Sequence, residues 1–309
     1  MSLVSAIIPT YNQSEELERA VKSVLEQTYP DIEIIIVDDA SNDETQKIIE
    51  KYTDKCEQIT SRTHIRNRGG AAARNTGIDA ASGDLIAFLD SDDTWNKEKI
   101  SKQVKKIQST TSDCVYCGID YQQSGRAKRI RTFIRRAFKL RQDRGVREGG
   151  EDLIPEILSM QFDLGGTSTL LLTADVVSRV NGFDERFDRH QDWEFMLRVL
   201  KNHKLSYVDE KLVNKFETGR PSADKIYGAK KLYFNKFSEE IRSAEQSGYE
   251  VVRNHRLHLA QSYLIQGEFS EAIEWLIKLN LDLSDFPILV WYTLIGLGRL
   301  RNGKDTHLE

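Results

Sequence analysis

No apolar run in this chain is long enough to cross a bilayer. The longest, Phe286–Gly298 (FPILVWYTLIGLG), falls well short of the roughly 20 residues a spanning helix needs. Cysteine is scarce too. Cys56, Cys114 and Cys117 make three in all, which is no disulfide framework and fits a reducing compartment. Cys114-Val-Tyr-Cys117 has a redox-type spacing, but DCVYCGIDY reads as a strand, in which positions three apart face opposite ways. No signal peptide opens the chain, so a cytoplasmic location is expected. A G-x-G-x-x-G turn is also missing: the first turn after a strand is PTYNQSEE, without glycine, which argues against a dinucleotide-dependent dehydrogenase.

What is present is an ordinary globular composition over 309 residues, enough for one large α/β domain and a smaller appendage. Charge is unevenly spread. Residues 126–147 (RAKRIRTFIRRAFKLRQDRGVR) carry ten Lys/Arg and one Asp, a local +9 that leaves the remainder at −13 against −4 overall. Such a stretch reads as a solvated loop or as a contact with anionic membrane. The second reading comes from Phe133, Ile134, Ala137, Phe138 and Leu140 interleaved with the cations. Contact with an anionic acceptor is a third reading. Nucleic acid fits least, because no binding module accompanies the stretch.

The most informative segment is GDLIAFLDSDDTW, residues 83–95. An apolar run opened by Gly83 predicts a strand buried on both faces. It ends in Asp90, Ser91, Asp92 and Asp93, and three carboxylates so close repel one another unless a cation sits among them. Oxygen-only ligands suit a hard divalent ion that also grips a diphosphate. The mouth of an open α/β sheet is where ligands bind.

Around this segment the chain alternates. Strands are expected at Ser5–Ile8, Ile32–Val37, Glu57–Thr63 and Asp113–Tyr121. Helices are expected from Ser14, from Asp43, from the Ala-rich stretch after Gly70, and from Asn96 to Gln108. That order predicts a mostly parallel sheet flanked by helices. Beyond residue 121 the pattern loosens. Strands are expected at Thr167–Leu172, Leu205–Asp209 and Lys211–Phe216, and helices at Ala174–Val180 and Gln191–Lys201. From Ser222 onward everything reads as helical, with one tetratricopeptide-like hairpin around Ala260–Ile273.

Two further clusters carry chemistry. Asp38 and Asp39 end the second strand, where a carboxylate can accept from a base N–H while Tyr11 packs on the ring; capping the next helix is the plainer role. In NRGGAAARNTG, residues 67–77, small residues let a helix start approach a ligand, and free N–H groups beside Arg68 and Arg74 attract phosphate or sugar. Close packing of that helix on the sheet explains the same glycines.

Taken in order, SAIIPTYN, IVDDASND, NRGGAAARNTG and FLDSDDTW resemble the GT-A fold of glycosyltransferase family 2, from Ser5 to about Gly219. The resemblance implies a GT-A domain over 1–220, with a nucleotide-sugar half (1–121) and an acceptor half (122–220), followed by an all-α extension over 221–309. It implies an inverting transfer from a nucleotide-diphosphate sugar, UDP-linked by expectation, to a hydroxyl of a glycan or lipid-linked acceptor in cell-surface polysaccharide synthesis. It also implies Mn²⁺ or Mg²⁺ as cofactor. Donor contacts would come from Pro9, Thr10, Tyr11, Asp38, Asp39, Asn67, Arg68, Gly69, Arg74, Asp90 and Ser91. Asp92 would be the metal ligand, with Asp90 and Asp93 as further candidates. The family's Glu-Asp pair falls on Gln191-Asp192, so Asp192 takes the catalytic-base position while Gln191 departs from the pattern. His190 is the neighbouring alternative base.

Two rivals remain from the residues themselves. Asp90-Ser-Asp92-Asp93-Thr94 also satisfies D-x-D-x-T, the nucleophile motif of haloacid-dehalogenase-type phosphatases, though that motif ordinarily ends a domain's first strand. A non-catalytic interaction protein would be the reading if the acids were missing, and they are present.

Overall fold

The structure is a computed structural model describing residues 2–122, 147–216, 221–279, 281 and 285–304. It divides into two compact units. The first comprises 1–123, 144–154 and 162–218; the second comprises 124–143, 155–161 and 219–309.

The first unit is built on an eight-stranded sheet ordered β3-β2-β1-β4-β7-β6-β8-β5. Its strands are β1 (Val4–Thr10), β2 (Ile32–Asp38), β3 (Ile59–Thr63), β4 (Leu85–Phe88), β5 (Asp93–Trp95), β6 (Cys114–Gln122), β7 (Leu171–Thr173) and β8 (Leu205–Phe216). Strands β3, β2, β1 and β4 run parallel, β7 is antiparallel to both neighbours, and β5 is antiparallel to β8. The mostly parallel α/β expectation therefore holds, with antiparallel strands in the second half. Every residue of β1 and of β4 is buried, as expected of strands covered on both faces.

Helices α1 (Ser14–Leu25), α2 (Thr45–Thr53), α3 (Gly70–Ala80) and α4 (Lys99–Ser109) follow β1, β2, β3 and β5. Helix α3 is pressed onto the sheet. A Cβ at Gly77 would lie 2.3 Å from Ile7 Cγ2, so alanine there would push the helix off β1. Past β6 come α5 (Ile154–Leu158), α6 (Ala174–Arg179) and α7 (Gln191–Leu200).

Two expectations need revising. Thr167–Thr169 forms a 3-10 turn and the strand begins only at Leu171. The turn wins because its side chains bond locally: Thr169 Oγ1 donates to Leu164 and Gly166 carbonyls at 3.1 and 2.8 Å. Leu205–Phe216 is one strand, not two, its pairing with β6 jumping in register around Gly118.

The second unit is helical: α8 (Ala223–Lys236), α9 (Ser238–Gln246), α10 (Val251–Gln266), α11 (Phe269–Ile277) and α12 (Phe286–Lys304). Residues 155–161 belong to it, because α10 hydrogen-bonds them. His255 Nε2 lies 2.8 Å from the Leu158 carbonyl, and Asn254 Nδ2 donates to Ser159 O at 2.9 Å. The other ring nitrogen of His255 lies 2.8 Å from Lys230 Nζ. Burial lowers Lys230 to about 7 and holds His255 well below its ordinary value. Among the described residues no helix is long and apolar enough to cross a membrane. The basic stretch 126–147 lies, except for Arg147, outside the described residues.

Candidate active site

The loops after β1 and β2 brace each other at the C-terminal edge of the sheet. Asn12 N–H donates to Ser41 Oγ and Asn42 N–H to Asn12 Oδ1, both at 2.8 Å. Asn12 and Ala40 adopt left-handed backbone, φ 51° and 66°, a conformation alanine holds only when its surroundings impose it. Asp38 and Asp39 are both buried but have different partners. Asp38 Oδ1 accepts from Ser41 N at 3.0 Å, closing the turn. Asp39 accepts from Arg68 N (2.8 Å) and Gly69 N (2.7 Å), and lies 2.7 Å from His64 Nδ1. Asp39 thus fixes the entrance to α3, engaging the Arg68 and Gly69 N–H groups just ahead of the helix. Thr10 ends β1 with a buried hydroxyl that has no hydrogen-bond partner among the described residues, and Tyr11 stands exposed beside it. Asn67 is exposed, Pro9 is buried within β1, and Ser91 Oγ donates to Gln13 Oε1 at 2.6 Å.

Directly after β4 the chain turns, Asp93 N–H donating to Asp90 O at 2.9 Å. That turn gathers Asp90, Asp92 and Asp93, which can present oxygens all within 4.8 Å of one another. Each flanking acid has its own support. Arg74 Nη2 donates to Asp90 Oδ1 at 2.5 Å and Thr167 Oγ1 to the same oxygen at 3.1 Å. Ser168 Oγ donates to Asp93 Oδ2 at 2.6 Å and accepts from Asp90 N–H at 3.1 Å. Burial pushes Asp90 up, but Arg74 and Lys215 outweigh it and hold the group below the usual carboxylate range. Burial dominates at Asp93 and pushes it up to about 7, against the pull of Lys215. The donor set is all carboxylate oxygen, which fits a hard divalent cation.

Asp192 comes from the second half of the first unit. Helix α7 starts at Gln191, preceded by His190 with left-handed backbone at φ 60°. The His190 ring stacks on Trp193, centroids 4.3 Å apart. Behind the turn, Asn75 Nδ2 donates to Phe183 O and Phe183 N–H donates to Asn75 Oδ1, at 2.9 and 2.8 Å. Arg198 joins Glu194 to the Val180 and Gly182 carbonyls, and Phe183 stacks on Phe195. The start of α7 is therefore rigidly seated. Burial raises the Asp192 carboxyl above its ordinary range. Asp163 adds to the rise, while Lys215 and the Trp193 N–H oppose it. Gln191 connects the two halves: its Oε1 accepts from Arg74 Nη1 at 2.6 Å and its Nε2 donates to Phe187 O at 2.7 Å.

So the structure brings together Arg74, Asp90, Asp92, Asp93 and Asp192. Sequence reasoning missed Thr167, Ser168 and Lys215, which complete the site from the second half of the sheet. Only the polar run Gly165-Gly-Thr-Ser168, which no period explains, could have pointed to the first two.

The profile of the family described as Glycosyl transferase family 2 matches residues 5–163. The amylovoran biosynthesis glycosyltransferase AmsB of Erwinia amylovora is 32% identical over 222 residues, 68% of each chain. The Escherichia coli UDP-Glc:alpha-D-GlcNAc-diphosphoundecaprenol beta-1,3-glucosyltransferase WfgD is 26% identical over 276 residues, 88% of this chain and 96% of that one. TuaG of Bacillus subtilis is 46% identical, but over 107 residues that span 33% of this chain and 41% of that one. Among solved structures, S. aureus TarS 1–349 in complex with UDP-GlcNAc superposes with a TM-score of 0.63 at 18% identity, covering 97% of this chain and 92% of that one. The mannosyltransferase PcManGT of Pyrobaculum calidifontis, in complex with GDP-Man and Mn²⁺, gives 0.60 at 17%, covering 96% and 81%. At these identities the likeness is one of fold.

Proposed function

The chain belongs to glycosyltransferase family 2, and from that premise we propose that it transfers a sugar, with inversion, from a nucleotide-diphosphate sugar to a hydroxyl of a glycan or lipid-linked acceptor. The observation that supports this is that Asp192, at the start of α7, is near enough to the Asp90-Asp92-Asp93 turn for Asp90 and Lys215 both to act on it electrostatically, with Gln191 beside it tied through Arg74 to Asp90. On this reading one acid is left for the acceptor while three would serve a metal-bound diphosphate, which is the division a single displacement needs. Membership of the family sets aside a phosphatase built on the same D-x-D-x-T.

The proposed roles are these. Asp92, with Asp90 and Asp93 beside it, would hold Mn²⁺ or Mg²⁺, which when bound supplies Lewis-acid charge to the departing diphosphate. Thr10, Tyr11, Asp38, Asn67, Arg68 and Ser91 surround the edge where the nucleotide would lie, and Tyr11 offers an exposed ring for stacking. Asp39 and Gly69 hold the loop there. Asp192 takes the acceptor's proton as the hydroxyl attacks. UDP as the donor's nucleotide is supported by WfgD, which uses UDP-Glc. The lipid-linked acceptor is supported by the diphosphoundecaprenol in the same name.

The first test is a thermal-shift panel of UDP-, GDP- and dTDP-sugars, each with Mn²⁺ and with EDTA. A bound donor stabilises the fold by mass action, about 2.7 kcal/mol at a hundredfold excess over Kd. One nucleotide class should raise the midpoint with Mn²⁺ and lose that rise with EDTA. A panel with no stabilising nucleotide sinks the reading.

Contact with an anionic membrane surface is a second element of the proposal, and α12 supports it. Phe286, Val290, Leu294 and Leu297 recur at helical spacing and are each about half exposed. The sequence from Phe286 to Lys304 carries Arg299, Arg301 and Lys304 and no acid. Each cation near an anionic surface contributes roughly 1 kcal/mol. Sedimentation with vesicles of mixed anionic and zwitterionic lipid should exceed that with zwitterionic lipid alone, and Leu294→Glu should reduce it. Equal sedimentation with both lipids removes this element.

A further inference from the structure

The geometry points to Lys215 as a tethered cation that keeps divalent metal off the acidic turn until a nucleotide diphosphate is present. The inference rests on the transferase reading above and goes beyond it, because it concerns a residue outside every motif that identifies the family.

Lys215 lies on β8, directly opposite Asp93 of β5 in the antiparallel register. Its Nζ sits 3.7 Å from Asp93 Oδ2, with only a quarter of the side chain exposed. Backbone fences it in. Gly166, at φ +100°, passes so close that a Cβ there would lie 2.9 Å from the ammonium. The backbone conformation at 166 favours glycine, and a side chain there would crowd the Lys215 ammonium. The nearby guanidinium of Arg74 has other duties, donating to Asp90 and Gln191. Asp90, Asp93 and Asp192 all act on the Lys215 ammonium.

A lysine so placed is a fixed positive charge at the edge of the carboxylate set a divalent ion would use. Two cations drawn to the same oxygens repel, and in a part-buried site water screens that repulsion weakly. Lys215 cannot diffuse away, so in the free enzyme the divalent ion bears the full cost. A diphosphate changes the balance by bringing its own negative charge, which both cations can share. By reciprocity of linked binding, the diphosphate then tightens metal binding as much as metal tightens diphosphate binding. Lys215 makes that coupling larger than three carboxylates alone would.

The experiment is a titration with Mn²⁺ followed by electron paramagnetic resonance of the free ion, without and with UDP. It compares wild type, Lys215→Met, Lys215→Gln and Lys215→Arg. Circular dichroism reports folding in each, and the Gln variant serves if Met does not fold. With Mn²⁺ alone, Lys215→Met and Lys215→Gln should bind at least tenfold tighter than wild type, and Lys215→Arg should resemble wild type. Addition of UDP should tighten Mn²⁺ binding less in Met and Gln than in wild type. Unchanged or weaker Mn²⁺ affinity in Met and Gln overturns the inference. If UDP binds but no variant takes up Mn²⁺, the inference fails while the transferase reading stands. If neither UDP nor Mn²⁺ binds to any variant, both fail.

Discussion

Asp192→Asn is expected to lower the transfer rate by about 10²–10⁴, the usual worth of a positioned general base, while donor affinity stays close to wild type. An acceptor hydroxyl is a poor nucleophile until its proton is being removed, and the amide of Asn has almost the shape of the carboxylate without its basicity. On the proposed reading donor binding should survive, because the nucleotide is assigned to the loops after β1 and β2 and to the start of α3, not to α7. The same variant tests the environment of Asp192. Burial raises its pKa, and Asp163 adds to that effect. The base must be ionised to work, so wild-type activity should fall as pH drops through that raised value, above the ordinary carboxylate range. Asp163→Asn removes one of the raising charges and should move the acid limb to lower pH. Transfer rate and donor affinity measured on the same Asp192→Asn preparation decide the matter. Near wild-type transfer would pass the role to His190, whose ring stacks on Trp193, and His190→Ala would be the next measurement.

The half of the site that lies at the ends of β1, β2 and β4 is legible in the sequence because its signal is local. An apolar run that stops at Asp90, another that stops at Asp38, and a glycine-alanine helix start are each contained within a dozen or so positions, and periodicity finds them. The remainder depends on contacts between distant segments. Lys215 looks like any polar residue of a half-exposed strand until β8 pairs with β5 and sets it against Asp93. The same holds for Ser168. Read locally, Thr167–Leu172 has strand character; in the fold, Ser168 Oγ bonds Asp93 while its carbonyl accepts from Trp95 Nε1 at 3.0 Å, and those bonds favour a turn. Gln191 is a subtler case. The sequence reads it as a lost charge beside the base, whereas the structure gives it a task, accepting from Arg74. Asp39 has partners its motif does not reveal, since its carboxylate oxygens accept from the loop before α3.

Arg74→Met should destabilise the first unit by about 3–5 kcal/mol, the range for removing one partner of a buried ion pair. Arg74 is almost fully buried and Asp90 is three-quarters so, with 2.5 Å between them. Without the guanidinium, Asp90 keeps, among the described residues, the Thr167 hydroxyl and the pull of Lys215, while desolvation still opposes its charge. A second loss adds to the first, because Nη1 of the same guanidinium holds Gln191 at the start of α7. Arg74→Lys should recover only part of the stability, since one ammonium cannot reproduce the planar fork that serves Asp90 and Gln191 at once. The attribution to Asp90 is checked by a double-mutant cycle in urea unfolding. Asp90→Asn in the Arg74→Met background should regain much of the loss, because a neutral amide at that position no longer requires a cation. If Arg74→Met instead unfolds within about 1 kcal/mol of wild type, a value typical of exposed pairs, the Arg74–Asp90 contact is a surface-like pair. The tie it makes between α3 and α7 would then have to be carried by Asn75 and Phe183, whose paired hydrogen bonds join α3 to the loop preceding α7.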